Sequence, residues 1–210
     1  MTKVLEKVER RLGERLFIKG ERCAGQKCAL TRRSYAPGVH GKSKAKGRKR
    51  EPSEFGALLR EKQKIRFIYG LDDKDLKRYI VIAVSQKGTF GDNVLKLLER
   101  RLDNVCYRLG FADSRRMARQ AIGHGHVTID GKMVSIPSYQ IKKGQVIALK
   151  ERSLQSGFFK RIDDNIRSYE APRWLLLDKN KKTGTMTANP EVDDAHITID
   201  ITKVKEFYSR

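Results

Sequence analysis

Residues 93–150 constrain what this chain can fold into more than any other stretch. It opens NVLKLLERRLDNVCYRLG, in which Leu95, Leu98, Leu102, Val105 and Leu109 recur at steps of three and four. That spacing predicts one continuous helix with an apolar stripe, closed by Gly110. In ADSRRMARQAIGHG, Asp113 or Ser114 is placed to cap a second, shorter helix, with Met117, Ala118, Ala121 and Ile122 facing inward. HVTIDGKMV is a pair of short alternating runs around Asp130-Gly131, a strong two-residue hairpin signal. A turn at 142–144 and a strand over 145–150 complete the pattern: two helices against a small sheet.

The helices of this unit carry Arg100, Arg101, Arg108, Arg115, Arg116 and Arg119, with only Glu99, Asp103 and Asp113 nearby to offset them. They are expected on an exposed face. Arginine takes phosphates bidentately and stacks on splayed bases, so the arrangement suits RNA. Ser114, Gln120, His124 and His126 belong to the same expected face. For the two histidines, turn packing is an equal alternative, and no third ligand stands near them for a metal.

Charge extends the argument to the whole chain. The net charge is +21 over 210 residues, and it is graded. Residues 1–70 hold 20 Lys and Arg against 7 Asp and Glu, residues 71–150 hold 15 against 8, and residues 151–210 hold 11 against 10. A polyanionic partner is implied. A membrane is not, because no basic segment carries a broad apolar face and no apolar run approaches the length of a span.

Ahead of the central stretch, residues 1–19 read as a charged helix followed by an extended LFIKG. Residues 20–52 are expected to be a loose basic arm that orders on binding. Lys42, Lys44, Lys46, Arg48, Lys49 and Arg50 meet no acid until Glu51. A helix capped by Ser53 carries Arg60, Lys62, Lys64 and Arg66, expected to grip phosphates, and a second runs over about 72–87. Asp72, Asp73 and Asp75 favour the start of that helix. Beyond 150 come a short helix, strands near 174–177 and 185–187, and a tail that is extended and then helical. Trp174 and Cys106 are expected in the core.

These residues carry a family resemblance. LLERRLDNVCYRLGFADSRRMARQAIGHGHVTIDGKMVSIPSYQIKKGQVIALKERS resembles the RNA-binding module of small-subunit ribosomal protein four. LFIKGERC, APGVHG, SEFGALLREKQKIRFIYG, APRWLLLD and EFYSR are similar to its bacterial members at corresponding places. The resemblance implies an α+β chain with an arm over 1–52, a mostly helical domain from 53–91 packed with 151–210, and the inserted module over 92–150. It also implies a cytoplasmic structural protein that binds a helix junction in the 5′ region of small-subunit rRNA and nucleates assembly. The fifth protein of that subunit is its expected neighbour, and the mRNA entrance is close by.

Cofactors are not expected. Many family members close a four-thiolate zinc site with an upstream C-x-x-C, but here Glu6 and Glu9 stand where that pair falls. Cys23 and Cys28 alone do not complete a tetrahedron. No phosphate loop, nucleophile elbow or H-E-x-x-H is present. Two alternatives remain at this point: a free RNA-binding factor, or an RNA-modifying enzyme carrying the same module. The enzyme would need a catalytic domain for which the family-like flanks leave no room.

Overall fold

The structure, a computed structural model, describes residues 5–42, 51–155, 159, 162–191 and 199–209. In chain order its elements begin with α1 (Leu5–Leu12), α2 (Glu21–Ala24), α3 (Ala29–Arg32), α4 (Glu54–Ile68), α5 (Asp73–Ser85), α6 (Phe90–Glu99), α7 (Leu102–Arg108) and α8 (Arg115–Gly123). There follow β1 (Val127–Ile129), β2 (Lys132–Met133), β3 (Val146–Leu149), α9 (Glu151–Leu154), α10 (Ile162–Ser168), β4 (Leu175–Asp178), β5 (Thr183–Met186) and α11 (Ile201–Ser209). They group into two compact units, residues 1–77 with 198–210, and residues 78–197.

In the first unit, the Ser53 hydroxyl accepts from Gly56 N at 3.2 Å and so starts α4. Leu58 and Ile65 bury on that helix. Helix α11 lies along it: the Phe55 and Phe207 rings are 5.7 Å apart, and Glu61 accepts from Asp200 N at 3.2 Å. The arm expected to be loose over 20–52 is different in its described part. Cys23 and Cys28 are 3% and 2% exposed there. Arg10 pins the segment to α1 by donating to the carbonyls of Arg33 and Tyr35, both at 3.1 Å, with its guanidinium over the Tyr35 ring. Two apolar side chains and one cation–π contact supply what the basic composition alone could not. The LFIKG segment, expected to be extended, turns over residues 18–20, with Phe17 at φ 52°.

The second unit is a five-stranded antiparallel sheet in the order β2-β1-β3-β5-β4. The Asp130-Gly131 hairpin forms as the sequence reads, with Ile129 opposite Lys132 and both turn residues at positive φ. The sheet does not stop at residue 150. Thr183–Thr185 pairs with Val146–Ala148, so β4 and β5 extend the module's sheet, where residues 151–210 were expected to join the first domain. The reason is apolar. Trp174, Leu175 and Met186 share one buried cluster with Leu102, Val105, Leu109, Ile122 and Ile147. Phe159, Ile162 and Ile166 belong to it as well. The face of β5 comes close enough to α7 that Gly184 lies directly against Leu109, leaving no space for a Cβ.

The helix expected from 93 to 110 is broken. Arg101 leaves the helical conformation (φ −65°, ψ 137°) and bridges to Gln140. Ile141 N donates to the Arg100 carbonyl at 2.9 Å, while Leu102 N and Asp103 N donate to the carbonyls of Tyr139 and Pro137. The first amides of α7 have no partner within their own helix. A loop 35 residues downstream supplies those partners, and the apolar stripe runs on through the break: Leu98, Leu102, Val105 and Leu109 are all fully buried.

Candidate nucleic-acid interface

The break at Arg101 builds the most organised polar cluster in the second unit. Glu99 ends α6 and Asp103 lies in the first turn of α7, at 0% and 2% exposure. Arg101 chelates Asp103 through Nε at 3.0 Å and Nη2 at 2.7 Å, and its Nη1 donates to the Tyr79 hydroxyl at 2.6 Å. Arg119, from α8, donates to the same Asp103 Oδ2 through Nη2 at 2.7 Å and Nε at 3.2 Å. Arg108 forks onto Glu99 at 3.0 and 3.1 Å. Asn104 bridges the two halves, donating to Glu99 Oε2 at 2.8 Å and accepting from Arg115 Nε at 2.7 Å. Four guanidinium groups thus surround two buried carboxylates. Paired and fully hydrogen-bonded charges tolerate burial, and the surplus positive charge faces outward.

The six arginines expected on one exposed face therefore divide. Arg101 and Arg108 turn inward and act as struts. Arg100 donates through Nε to the Ile141 carbonyl at 2.9 Å and is half-buried. Arg115 is half-buried, with its guanidinium 4.5 Å from the Tyr107 ring centroid. Arg119 keeps 37% of its side chain exposed while anchored to Asp103. Arg116 and Gln120 are fully on the outside of α8. Ser114 is the cap of that helix, its hydroxyl accepting from Met117 N at 3.2 Å.

His124 is exposed just beyond α8, and His126 is not its equal. His126 Nδ1 lies 2.9 Å from Ser153 Oγ and its ring meets Phe159 edge-on. Burial, then the neighbouring His124 and Lys150, holds its imidazole below the usual histidine range. His126 is thereby packed against its neighbours, whereas His124 remains at the surface.

In the first unit, three cations expected on phosphates are buried instead. Lys62 is paired with Asp73 and its ammonium sits 4.9 Å from the Phe207 ring centroid. Lys64 is clamped by Glu14 at 2.8 Å and Glu61 at 2.7 Å. Arg66 donates to the Leu71 carbonyl, Gln63 Oε1 and Asp73. Arg60 and Lys42 are exposed. Lys44, Lys46, Arg48, Lys49 and Arg50 lie outside the described residues. Sequence reasoning missed this sorting because α4 alternates cations with apolar residues at helical spacing, so charge alone does not separate strut from contact. Asp73, read as a helix-start acid, was the available signal: it is five residues beyond the end of α4 and pairs with both Lys62 and Arg66.

Cys23 and Cys28 face Glu9, which is 1% exposed. The Cys23 thiol lies 3.5 and 3.6 Å from the two carboxylate oxygens, and Glu9 Oε1 also accepts from Leu16 N and Ile18 N. Burial pushes the Cys23 thiol up to about 11, so it stays protonated as a donor. Glu6 is committed to Lys19 and Arg22. A protonated thiol donating to a carboxylate is a hydrogen-bonded hub, and this donor set does not fit a four-thiolate metal centre. Among the described residues there is no cluster of three or more His, Cys, Asp or Glu disposed to hold a metal ion.

Comparison with known proteins divides the chain after residue 99, inside the second compact unit. Residues 2–99 match the family model described as ribosomal protein S4/S9 N-terminal domain, and residues 100–147 match the S4 domain. The chain is 48% identical to small ribosomal subunit protein uS4 of Desulfitobacterium hafniense (strain DSM 10664 / DCB-2), over 96% of this chain and 94% of that one. It is 45% identical to the proteins of the same name from Syntrophomonas wolfei and Halothermothrix orenii, with the same coverage of both chains. The chain therefore belongs to the bacterial uS4 family, structural and non-enzymatic components of the small ribosomal subunit.

Proposed function

We propose that this protein binds small-subunit rRNA directly, at a helix junction in the 5′ region, and so nucleates assembly of the cytoplasmic small subunit near the mRNA entrance. The observation that carries the reading is the α7–α8 cluster, in which Asn104 and Glu99 hold Arg115, and Asp103 holds Arg119, in set positions beside exposed Arg116 and Gln120. Guanidinium groups locked by buried acids lose little further entropy on meeting a phosphate, so their spacing can select an RNA shape. Arg60, Arg100, His124 and Lys42 add phosphate contacts, and the Lys and Arg residues of the 44–50 run are assigned to mRNA.

Family membership supports the ribosomal setting, and the gradient of charge supports an RNA face at the N-terminal side. The outer face of the sheet, with Met133, Val146 and Leu176 exposed, is the surface proposed for the neighbouring fifth protein. The test is an equilibrium titration of the full chain with the 5′-region junction over a salt series, against a duplex of equal length. Preference for the junction that persists at high salt is expected. Equal binding to both, collapsing together as salt rises, overturns the reading.

A further inference from the structure

The loop after α1 is bent around one atom. Glu9 Oε1 accepts from both Leu16 N and Ile18 N, each at 3.2 Å. Two amides converging from positions two apart leave the residue between them at the apex, and that residue is Phe17, at φ 52°. Left-handed backbone is unfavourable for any L side chain and a genuine outlier for a bulky one. Glycine occupies the two other left-handed positions of this segment, Gly13 at 77° and Gly20 at 59°, but not this one. Nor does burial offset the cost. Leu16 is 8% exposed and Ile18 half-buried, while Phe17 is 48% exposed. The hub thus holds a strained main chain in a shape whose result is an aromatic ring directed at solvent.

The surroundings choose among partners. Residues 5–42 contain ten Lys and Arg and four Glu, and Glu9 is buried. Arg15 and Lys19, two residues to either side of Phe17, are both exposed. A socket on another protein would favour an apolar collar around the ring. An aromatic face flanked by cations is instead the recurring device for single-stranded nucleic acid, the ring taking a base and the cations its phosphates.

We infer that Phe17 is a stacking platform for an unstacked nucleobase of RNA, set in place by the buried Glu9 carboxylate. This rests on the RNA-binding reading above, with a contact separate from the α7–α8 cluster. The test uses the full chain and the 5′-region junction RNA with three proteins: the unaltered chain, Phe17→Gly and Phe17→Trp. Glycine accepts the left-handed backbone, so Phe17→Gly is expected not to lower the denaturation midpoint, yet to weaken junction binding by about 5- to 150-fold, the range for loss of one base stack. Phe17→Trp retains a stacking face and is expected to bind within about twofold of the unaltered chain. Irradiation of the complex should couple a nucleotide to the peptide containing Phe17. If the unaltered chain prefers the junction and Phe17→Gly binds it equally well, the platform is refuted while the RNA reading stands. If Phe17→Gly keeps RNA affinity but loses a neighbouring ribosomal protein, the ring is a protein contact and the inference fails. Absence of any junction preference in the unaltered chain removes the RNA reading itself.

Discussion

Both units bury carboxylates, and they use them differently. In the second unit, Glu99 and Asp103 are held chiefly by side chains, four guanidinium groups and an asparagine amide, with a single main-chain amide, Asn104 N, donating to Asp103. In the first, Glu9 receives main-chain amides and a thiol. One arrangement arrays cations on a rigid helix, and the other shapes a loop. A buried acid in a basic protein is therefore not simply a counter-charge. What donates to it decides whether it orders a charge pattern or a backbone path.

Asp103 is the costliest of these positions to replace. Asp103→Ala leaves Arg101 buried at 3% exposure without its bidentate partner, and is expected to cost about 3–5 kcal/mol in denaturant unfolding. Replacing Arg101 and Asp103 together by apolar residues should recover much of that stability but not the positioning of Arg119, so RNA binding should stay weak. Glu9→Ala strips the partner from two amides and a thiol, and about 2–3 kcal/mol is expected, with faster hydrogen exchange at Leu16 and Ile18 but not at Asn104. Slow exchange persisting at Leu16 and Ile18 would show that the loop does not depend on the hub.

Cys23 sharpens the contrast through pH. Its folded value is raised to about 11, so its contribution is complete below pH 9 and declines as pH rises through 11. The stability difference between the unaltered chain and Cys23→Ala should accordingly shrink by about 2–3 kcal/mol over that window. The smallest effect is expected at Arg116, which lies on the outside of α8. Arg116→Ala should change stability by less than about 0.5 kcal/mol yet lower the salt dependence of junction binding by about one phosphate contact. A stability loss as large as that of Asp103→Ala would place Arg116 among the struts.

Periodicity made much of the fold legible. The capped helices at Ser53 and Ser114, the Asp130-Gly131 hairpin and the buried Cys106 and Trp174 follow from local spacing and turn chemistry. What escaped depends on contacts distant in sequence. The break at Arg101 is set by the loop at 137–141, and β5 joins β3 because its apolar side completes a core that residues 93–150 leave open. The site was legible as a class and not as a division of labour. Lys62 and Arg60 look alike in sequence, yet one is committed to Asp73 and Phe207 and the other is at the surface.

The placement of α11 against α4 has a consequence for the order in which the chain matures. Residues 54–68 and 201–209 belong to one compact unit, with the whole of the other unit synthesised between them. As the chain leaves the ribosome that makes it, the second unit can close as soon as β4 and β5 have emerged, while α4 still lacks its partner helix. Loop-closure entropy rises only slowly with the length of the intervening segment, and a segment already folded shortens the effective loop. Newly made protein thus passes through a stage with the module complete and the Phe55 side of α4 uncovered. RNA engaging the module at that stage would capture the chain before its first unit is finished.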